Sequence, residues 1–179
     1  SLLVPLIRLK FTLTSRASAD ALIRSEAGKT LALCERLGHE VCSRSAKVPT
    51  QIGVDEDMRE WSLFQILEHN VIVNRRITAQ LLFSREAGPE PDPDFDVKHD
   101  VMPAPDAGPE QILAFEQSVE NHLREVGSLP SLRGGLLANH PIFGPFDAHK
   151  WHCMFGFHLQ LHRKQADNLA RLAGQNHST

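Results

Sequence analysis

The stretch of sequence that decides the fold is FHLQLHRKQADNL, residues 157–169, which sets two histidines four positions apart inside a helical pattern. Asp147 is a good N-cap for this helix, which is expected to run to about Ala173. Steps of three and four residues place one stripe of side chains on its inner face: Trp151, Phe155, His158, His162, Gln165, Leu169 and Leu172. His158 and His162 are therefore predicted to occupy core positions.

A second predicted helix carries the same irregularity on its inner face. It begins at WSLFQ, residues 61–65, where Ser62 can act as the cap and Gln65 follows three residues later, and it should run to about Phe83. His69 interrupts an otherwise apolar line on this face, formed by Ile66, Val73, Ile77 and Leu81. Three imidazole rings would then face one interior, where an unpaired polar group costs about 1 to 3 kcal/mol. A shared metal ion would satisfy all three rings together.

Two further helices complete the regular structure expected from periodicity. The first runs from Ser18 to about Cys42, and the second from Pro109, which suits a first helical turn, to near Gly127. Four helices joined by two long crossings predict an all-α fold, an antiparallel four-helix bundle. The length of the chain suits a single domain that covers residues 1–179.

Three segments fall outside these four helices. Residues 88–109 are crowded with Pro, Asp and Gly, and residues 128–146 lack a helical pattern, so both are predicted to be irregular. The HPIFG motif, residues 140–144, is expected to form a loop over one end of the bundle. Residues 1–17 form an N-terminal arm, in which apolar and polar side chains alternate over residues 7–13 as in a short strand or an extended segment.

Composition excludes several classes of partner. A net charge of -3 gives no reason to expect nucleic acid or an anionic membrane. The apolar N-terminal stretch is too short for a membrane span and lacks the features of a signal peptide. Cys34, Cys42 and Cys153 are odd in number and show no CxxC spacing, so we expect reduced cysteines in a cytoplasmic protein.

The spacing of the histidines fits a metal site. Residues four apart on a helix have Cβ atoms roughly 6 Å apart, so His158 and His162 can reach one ion, and His69 from a facing helix supplies a third ligand. Three histidines with an open fourth position are typical of a catalytic metal centre. The ligand set suits a divalent metal ion, with zinc preferred and nickel or iron as alternatives. A single buried histidine is more often a hydrogen-bonded core residue, so the prediction depends on all three.

The chain resembles the DinB/YfiT-like superfamily of metalloenzymes in two segments, WSLFQILEHNVIVNRRI (residues 61–77) and HPIFGPFDAHKWHCMFGFHLQLHRKQ (residues 140–165). The first is similar to a helix that follows a tryptophan and a small hydroxyl residue and carries one histidine ligand. The second is similar to the last core helix, with its HxxxH pair, in a DinB-like branch of unknown function. That branch often has a double histidine, where this chain has Leu161. The resemblance implies a DinB/YfiT-like bundle with three metal ligands: His69, His158 and His162.

The resemblance also implies a function. Characterised members of the superfamily include thiol-dependent transferases and an isomerase that uses low-molecular-weight thiols. A metal with an open position can bind a thiol as its thiolate, or lower the pKa of a water toward 7. We therefore expect a metal-dependent enzyme that activates a small thiol or water against a small-molecule substrate, such as a thiol-dependent S-transferase. A metal-dependent hydrolase and a non-enzymatic metal-binding or stress-response protein are the alternatives; catalytic residues stay unassigned, and a homodimer is left open.

Other polar residues have less definite roles. Gln165 shares a face with His162 and is either a hydrogen-bond partner of a metal ligand or of the substrate, or the polar end of the stripe. His122 is a fourth ligand, an outer partner or, most commonly for such a residue, a core or rim histidine. His140 is either structural or catalytic. A neighbouring cluster at HKWHC is expected to lie at a solvated helix start: His149, His152 and Cys153.

Overall fold

The computed structural model describes residues 3–175, and most of this part of the chain is helical. The all-α class is thereby confirmed, with the addition of a small antiparallel hairpin. No helix in the described range is long and apolar enough to cross a membrane. Five helices and two short strands form the regular structure of these residues, with a 3₁₀ turn at Glu56–Met58: α1 (Leu3–Leu13), α2 (Arg16–Cys42), α3 (Leu63–Ser84), α4 (Glu110–Ser128), β1 (Ala138–His140), β2 (Gly144–Phe146) and α5 (Ala148–Gln175).

Helix α3 begins where the capping pattern predicts. The backbone N–H of Gln65 donates to Ser62 Oγ at 3.2 Å, and the backbone N–H of Ser62 donates to the Gln65 side chain at 2.9 Å. This reciprocal pair satisfies two N–H groups that have no partner inside the helix. The capping box therefore fixes the first turn of α3, and with it the position of His69 one turn further along.

The start of α5 differs from its prediction in burial. Asp147 caps the helix as expected, accepting a hydrogen bond from the backbone of Lys150 at 2.9 Å. His149 and His152 are only 2% and 0% exposed, so the expected solvated helix start is wrong. The reason is that α1 and α2 cover this surface: His149 Nε2 lies 3.1 Å from the carbonyl oxygen of Phe11 in α1.

The N-terminal arm is a helix and not an extended segment. In α1 only Ile7 and Phe11, one turn apart, are buried, while Leu9 and Leu13 stay exposed. Of the four apolar residues that occupy every second position, two therefore lie on the buried face of the helix and two on its exposed face. The prediction of a strand is wrong because packing of α1 on α5 favours the helical period, and Pro5 is tolerated in the first helical turn.

The first long helix has the predicted extent but is not continuous. Helix α2 starts at Arg16, and the Ser15 side chain caps it by accepting from the backbone of Ser18 at 3.0 Å. Gly38 has a φ of 74°, which interrupts the helix before its last turn at Cys42. This left-handed conformation favours glycine, which has no Cβ to clash with the following carbonyl group.

The loop prediction for residues 128–146 needs a correction as well. Ala138 pairs with Phe146 and His140 with Gly144 in a two-stranded hairpin, so the HPIFG motif spans its turn. The strands are only three residues long, too short to give a visible alternation in the sequence. Residues 85–109, by contrast, contain no helix or strand, as predicted.

Helices α3 and α4 run in the same direction. Asn74 in α3 donates to Ser118 in α4 at 2.9 Å, and one turn later Thr78 meets His122 at 2.8 Å. Because both helices advance together, the chain must return along their whole length between them. The long connection over residues 85–109 makes this return, which gives the predicted crossing a geometric reason.

Helices α2 and α5 are also parallel to each other. Asp20 contacts His152, and further along both helices Glu26 pairs with Arg163. Helices α3 and α5 run antiparallel, because His69 near the start of α3 contacts His162, whereas Thr78, further along α3, connects through His122 to His152 near the start of α5. The predicted antiparallel relation therefore holds for α3 with α5, whereas each of the other two pairs is parallel.

Candidate metal centre

Three histidine nitrogens meet between α3 and α5. The Nε2 atom of His69 lies 3.2 Å from Nε2 of His158 and 3.1 Å from Nε2 of His162. All three rings are buried, with exposures of 3%, 9% and 1%. The indole of Trp61 packs on His69 with ring centroids 5.0 Å apart. The structure thus brings together the three residues that the sequence selected as ligands.

Hydrogen bonds at Nδ1, the ring nitrogen that points away from the other histidines, fix the tautomer of two of the three rings. The Nδ1 atom of His69 lies 2.8 Å from the carbonyl oxygen of Val101, and Nδ1 of His162 lies 2.8 Å from Oε1 of Gln165. The Gln165 amide is itself oriented, because its Nε2 donates to the carbonyl oxygen of Met58 at 2.7 Å. Both partners are oxygen acceptors, so each Nδ1 carries the hydrogen.

The inner nitrogens of these two rings consequently present lone pairs to each other. A neutral imidazole has one N–H, and in His69 and His162 it is committed to Nδ1. Their Nε2 atoms are 3.1 Å apart with no hydrogen between them. His158 could donate only one N–H to this pair, and its own Nδ1 has no hydrogen-bond partner among residues 3–175. A cation between the three nitrogens would relieve the repulsion.

The geometry fits a metal ion. Nitrogen ligands about 2.0–2.1 Å from zinc lie roughly 3.3 Å apart at tetrahedral angles, close to the separations between these rings. Within the described part of the chain, this is the one group of three or more possible metal-ligating side chains, and no carboxylate or thiol joins it. The buried group of His69, His158 and His162 could therefore hold a metal ion and would leave a fourth position to another ligand.

The protonation state of the rings suits metal binding. Burial lowers the pKa of His69, lowers that of His158 well below its usual range, and lowers that of His162 to about 3. The charges of neighbouring rings add to the effect at His158 and His162. The three imidazoles are therefore neutral near pH 7, which is the form that coordinates metals.

The carbonyl group that orients His69 comes from the long connection after α3. Its segment is anchored on α3, where the Glu68 side chain accepts from the backbone N–H of Ala104 at 2.7 Å and the Gln65 side chain donates to Ala104 O at 3.4 Å. These contacts hold Val101 over the histidine. Sequence reasoning missed this partner because a backbone carbonyl is the same in every residue.

The remaining candidate residues lie in different places. Gln165 contacts His162, as described. His140 is buried at the end of β1, and its Nδ1 accepts from the backbone N–H groups of Ile142 and Phe143 at 3.1 and 3.3 Å. Burial lowers its pKa to about 4. His122 is fully buried but is not part of the three-histidine group.

A second group of polar side chains, all buried except Asp20, was not predicted. His122 Nδ1 lies 2.8 Å from Thr78 Oγ1, its Nε2 lies 2.9 Å from His152 Nδ1, and His152 Nε2 lies 2.9 Å from Asp20 Oδ1. We call these four residues the histidine chain. The one sign of this group in the sequence was the position of His122 on the inner face of α4. The contact between Asp20 and His152 depends on the packing of α2 on α5, which the sequence does not show.

Comparison with known proteins adds no assignment, since no family model, curated protein or solved structure matches the chain. The resemblance to the DinB/YfiT-like superfamily therefore stays a prediction from motifs. What the molecule itself provides is a buried group of three neutral imidazoles with converging nitrogens.

Proposed function

We propose that this chain is a metal-dependent enzyme of the DinB/YfiT-like kind, in which His69, His158 and His162 hold a divalent metal ion, zinc in the first instance. One observation carries the proposal. The Nε2 lone pairs of His69 and His162 face each other at 3.1 Å while both N–H groups are committed elsewhere. An arrangement of this kind is costly in a metal-free core and favourable around a cation.

The packing of the helices supports the finer fold proposal. Helix α5 contacts α2 and α3, and α4 contacts the same two helices, which is compatible with a four-helix bundle of DinB/YfiT-like type. Helix α1 is an addition that packs on α5. All three cysteines are free and buried, which supports the proposal of a reducing, cytoplasmic location.

The ligand set favours a catalytic over a structural ion. Structural zinc sites have four protein ligands and commonly use cysteine. Here three imidazoles form the group, and no thiol of the described residues joins it. When bound, the ion would supply a Lewis-acidic position for a thiolate or a hydroxide. Val101 and Gln165 would keep two ligands in the coordinating tautomer, and burial would keep them neutral.

A small thiol is the better candidate nucleophile than water. A free thiol ionises near pH 8.5 and water near 15.7, so a thiol needs far less help to lose its proton near neutral pH. A hydrolase also commonly uses a carboxylate as general base, and none of the described residues places one within the group. We therefore propose a thiol-dependent S-transferase that adds the sulfur of a low-molecular-weight thiol to a small electrophilic substrate.

Cobalt substitution tests this proposal. Cobalt-loaded protein is titrated with a small thiol, and the absorption spectrum is followed. Direct sulfur ligation should add a strong charge-transfer band, which should be absent from His162→Ala and retained in His149→Ala, a buried histidine outside the group. If cobalt occupies the site and saturating thiol leaves the spectrum unchanged, the transferase proposal fails, and the hydrolase or the non-enzymatic alternative replaces it.

A further inference from the structure

Two of the three cysteines lie together in the core, on either side of the break in α2. Cys34 is 2% exposed and Cys42 is 0% exposed, and both are free thiols. The thiol of Cys42 donates to the carbonyl oxygen of Cys34 at 3.7 Å, and the two thiols hydrogen-bond each other. The pair is therefore a direct contact between two side chains of one helix.

The break at Gly38 makes this contact possible. Residues eight positions apart in an unbroken α-helix lie about 12 Å apart along its axis, which exceeds the roughly 7 Å between Cα atoms that a disulfide can bridge. Gly38 has a φ of 74° and a ψ of 164°, so the last turn of α2 changes direction and brings Cys42 back to Cys34. A Cβ at Gly38 would meet no atom within 4 Å, so glycine is favoured here by its φ and not by lack of space.

The hydrogen bond between the two thiols gives them different reactivities. It raises the pKa of the Cys34 thiol, and burial adds to this rise. It lowers the pKa of the Cys42 thiol, against the opposing effect of burial. Because the thiolate is the nucleophile in thiol chemistry, Cys42 is the sulfur that reacts first, and Cys34 is a second thiol within its reach.

The position of Cys42 at the end of α2 gives a reactant a way to reach it. Cys42 is the last residue of the helix, and the single turn that it closes begins directly after Gly38. His39 and Glu40 in this turn are exposed, and residues 44–50 beyond it have no regular structure. A terminal turn of this kind opens at a much smaller free-energy cost than the whole domain. Such an opening would expose Cys42 while Cys34 stays on the preceding part of α2.

We propose that Cys34 and Cys42 are a site of reversible disulfide formation, and that their reactant is the disulfide of a low-molecular-weight thiol, RSSR. The Cys42 sulfur attacks RSSR and breaks its S–S bond, and the released RS⁻ takes up the proton that Cys42 has lost. The Cys34 sulfur then bonds to Cys42 and displaces the second RS⁻, which takes up the proton of Cys34. Two protein thiols are oxidised, and one RSSR is reduced to two RSH.

The third cysteine provides an internal comparison. Cys153 in α5 is 4% exposed, and its sulfur lies 3.6 Å from His149 Nε2 and 3.8 Å from the carbonyl oxygen of Phe11. Burial raises its pKa to about 12. Its hydrogen-bonding neighbours among residues 3–175 include no second thiol, so Cys153 should stay reduced under conditions that oxidise the pair.

Equilibration with glutathione and glutathione disulfide tests the proposal. The protein is held at a series of ratios of the two compounds without air, quenched with acid, alkylated and analysed by mass spectrometry. Two of the three thiols should be lost together, with a mass decrease of two hydrogens, and the remaining alkylated thiol should map to Cys153. Cys153→Ser should lose its two thiols at the same ratio as the parent. Cys34→Ser should form no internal disulfide and should stop at glutathione bound to Cys42.

The same series in concentrated urea is the control for proximity. Because the fold holds the two sulfurs together, the native parent protein should form the disulfide at a concentration of glutathione disulfide at least about tenfold lower than the unfolded chain requires. Equal requirements would overturn the proposal, since pairing would then reflect only the short separation in sequence. Retention of all three thiols, or glutathione bound to single cysteines of the parent without loss of the pair, would overturn it as well.

Discussion

The molecule contains two groups of buried histidines that use their nitrogens in opposite ways. In the histidine chain each ring nitrogen faces a complementary partner, so His122 and His152 are satisfied by protein atoms alone. In the metal centre three Nε2 atoms converge, and the N–H groups of His69 and His162 point away from one another. One group is complete without an ion, and the other is not.

The difference shows what distinguishes a ligand from a core histidine. Burial is similar in both groups, and so is the direction in which burial moves the pKa of the rings. For His69 and His162 the deciding feature is that the outer nitrogen of the ring is hydrogen-bonded to an oxygen acceptor. An oxygen acceptor at Nδ1 leaves Nε2 available for a metal.

The largest expected effect separates the two groups by metal content. His158→Ala and His162→Ala should reduce bound zinc from about one equivalent per chain to a small fraction, since two imidazoles rarely hold zinc in a buried site. His122→Gln should leave it nearly unchanged, because this ring is not part of the group. Elemental analysis of purified variants measures the content. Equal loss in all three variants would remove the distinction between the groups.

Acid should destabilise the metal-free protein through its buried histidines, which include His140 as well as members of the two groups. The folded pKa of His162 is about 3 and those of His140 and His152 about 4, whereas unfolded histidine titrates near 6.5. Below pH 6.5 the unfolded chain therefore binds protons that the folded chain does not, so stability falls as the pH falls toward 4. Each of these rings contributes at most about 1.4 kcal/mol per pH unit, a limit approached about one unit below pH 6.5, and the three together at most roughly 4 kcal/mol per pH unit.

Urea unfolding between pH 7 and 5 in the presence of chelator measures this slope. His162→Asn should reduce it by up to about 1.4 kcal/mol per pH unit at the acid end of this range. His39→Asn, which changes an exposed ring, should leave it unchanged. A stability that does not vary over this range would mean that the buried rings accept protons in the folded state.

Much of the metal centre was predictable because the helical periodicity of α3 and α5 determines which side chains face the interior. The capping box at Ser62 fixes the phase of α3, and the stripe on α5 fixes the phase of the HxxxH pair, so the convergence of three rings follows from two helices that face each other. The orienting carbonyl of Val101 was not predictable, since any residue supplies a carbonyl and only the path of residues 85–109 brings this one to His69.

The histidine chain lay beyond sequence reasoning for another reason. Periodicity of α5 placed His152 beside the inner stripe, which is correct for that helix alone. Helix α2 covers His152, and no local sequence pattern indicates that Asp20 is the residue that contacts it. The helical state of α1 was missed for a similar reason. Its alternating pattern fits a strand, but the spacing of Ile7 and Phe11 also fits a helix, and contact with α5 decides between the two.

A moderate effect should follow from the outer partner of His162. Gln165→Leu removes the acceptor of the Nδ1 hydrogen and should weaken zinc binding by about 10 to 100-fold. Gln165→Glu keeps an acceptor oxygen at the same length but loses the hydrogen bond to the carbonyl oxygen of Met58, so it should bind zinc less tightly than the parent and more tightly than Gln165→Leu. Competition with a chelating indicator gives both affinities. Similar losses in the two variants would mean that Gln165 acts through packing and not through its oxygen.

The smallest expected effect lies at the inner end of the histidine chain. Thr78→Val preserves the shape of the side chain but deprives His122 Nδ1 of its partner, so it should lower the free energy of unfolding by about 1 kcal/mol. Thr30→Val is the matched control, because this buried hydroxyl donates only to the carbonyl oxygen of Glu26 one turn earlier, and that oxygen lies within a helix. The control should cost less, and neither variant should change zinc affinity. Urea unfolding of both variants, with and without zinc, makes the measurement. If Thr78→Val weakens zinc binding, the two histidine groups are coupled in the folded protein and do not act as separate units.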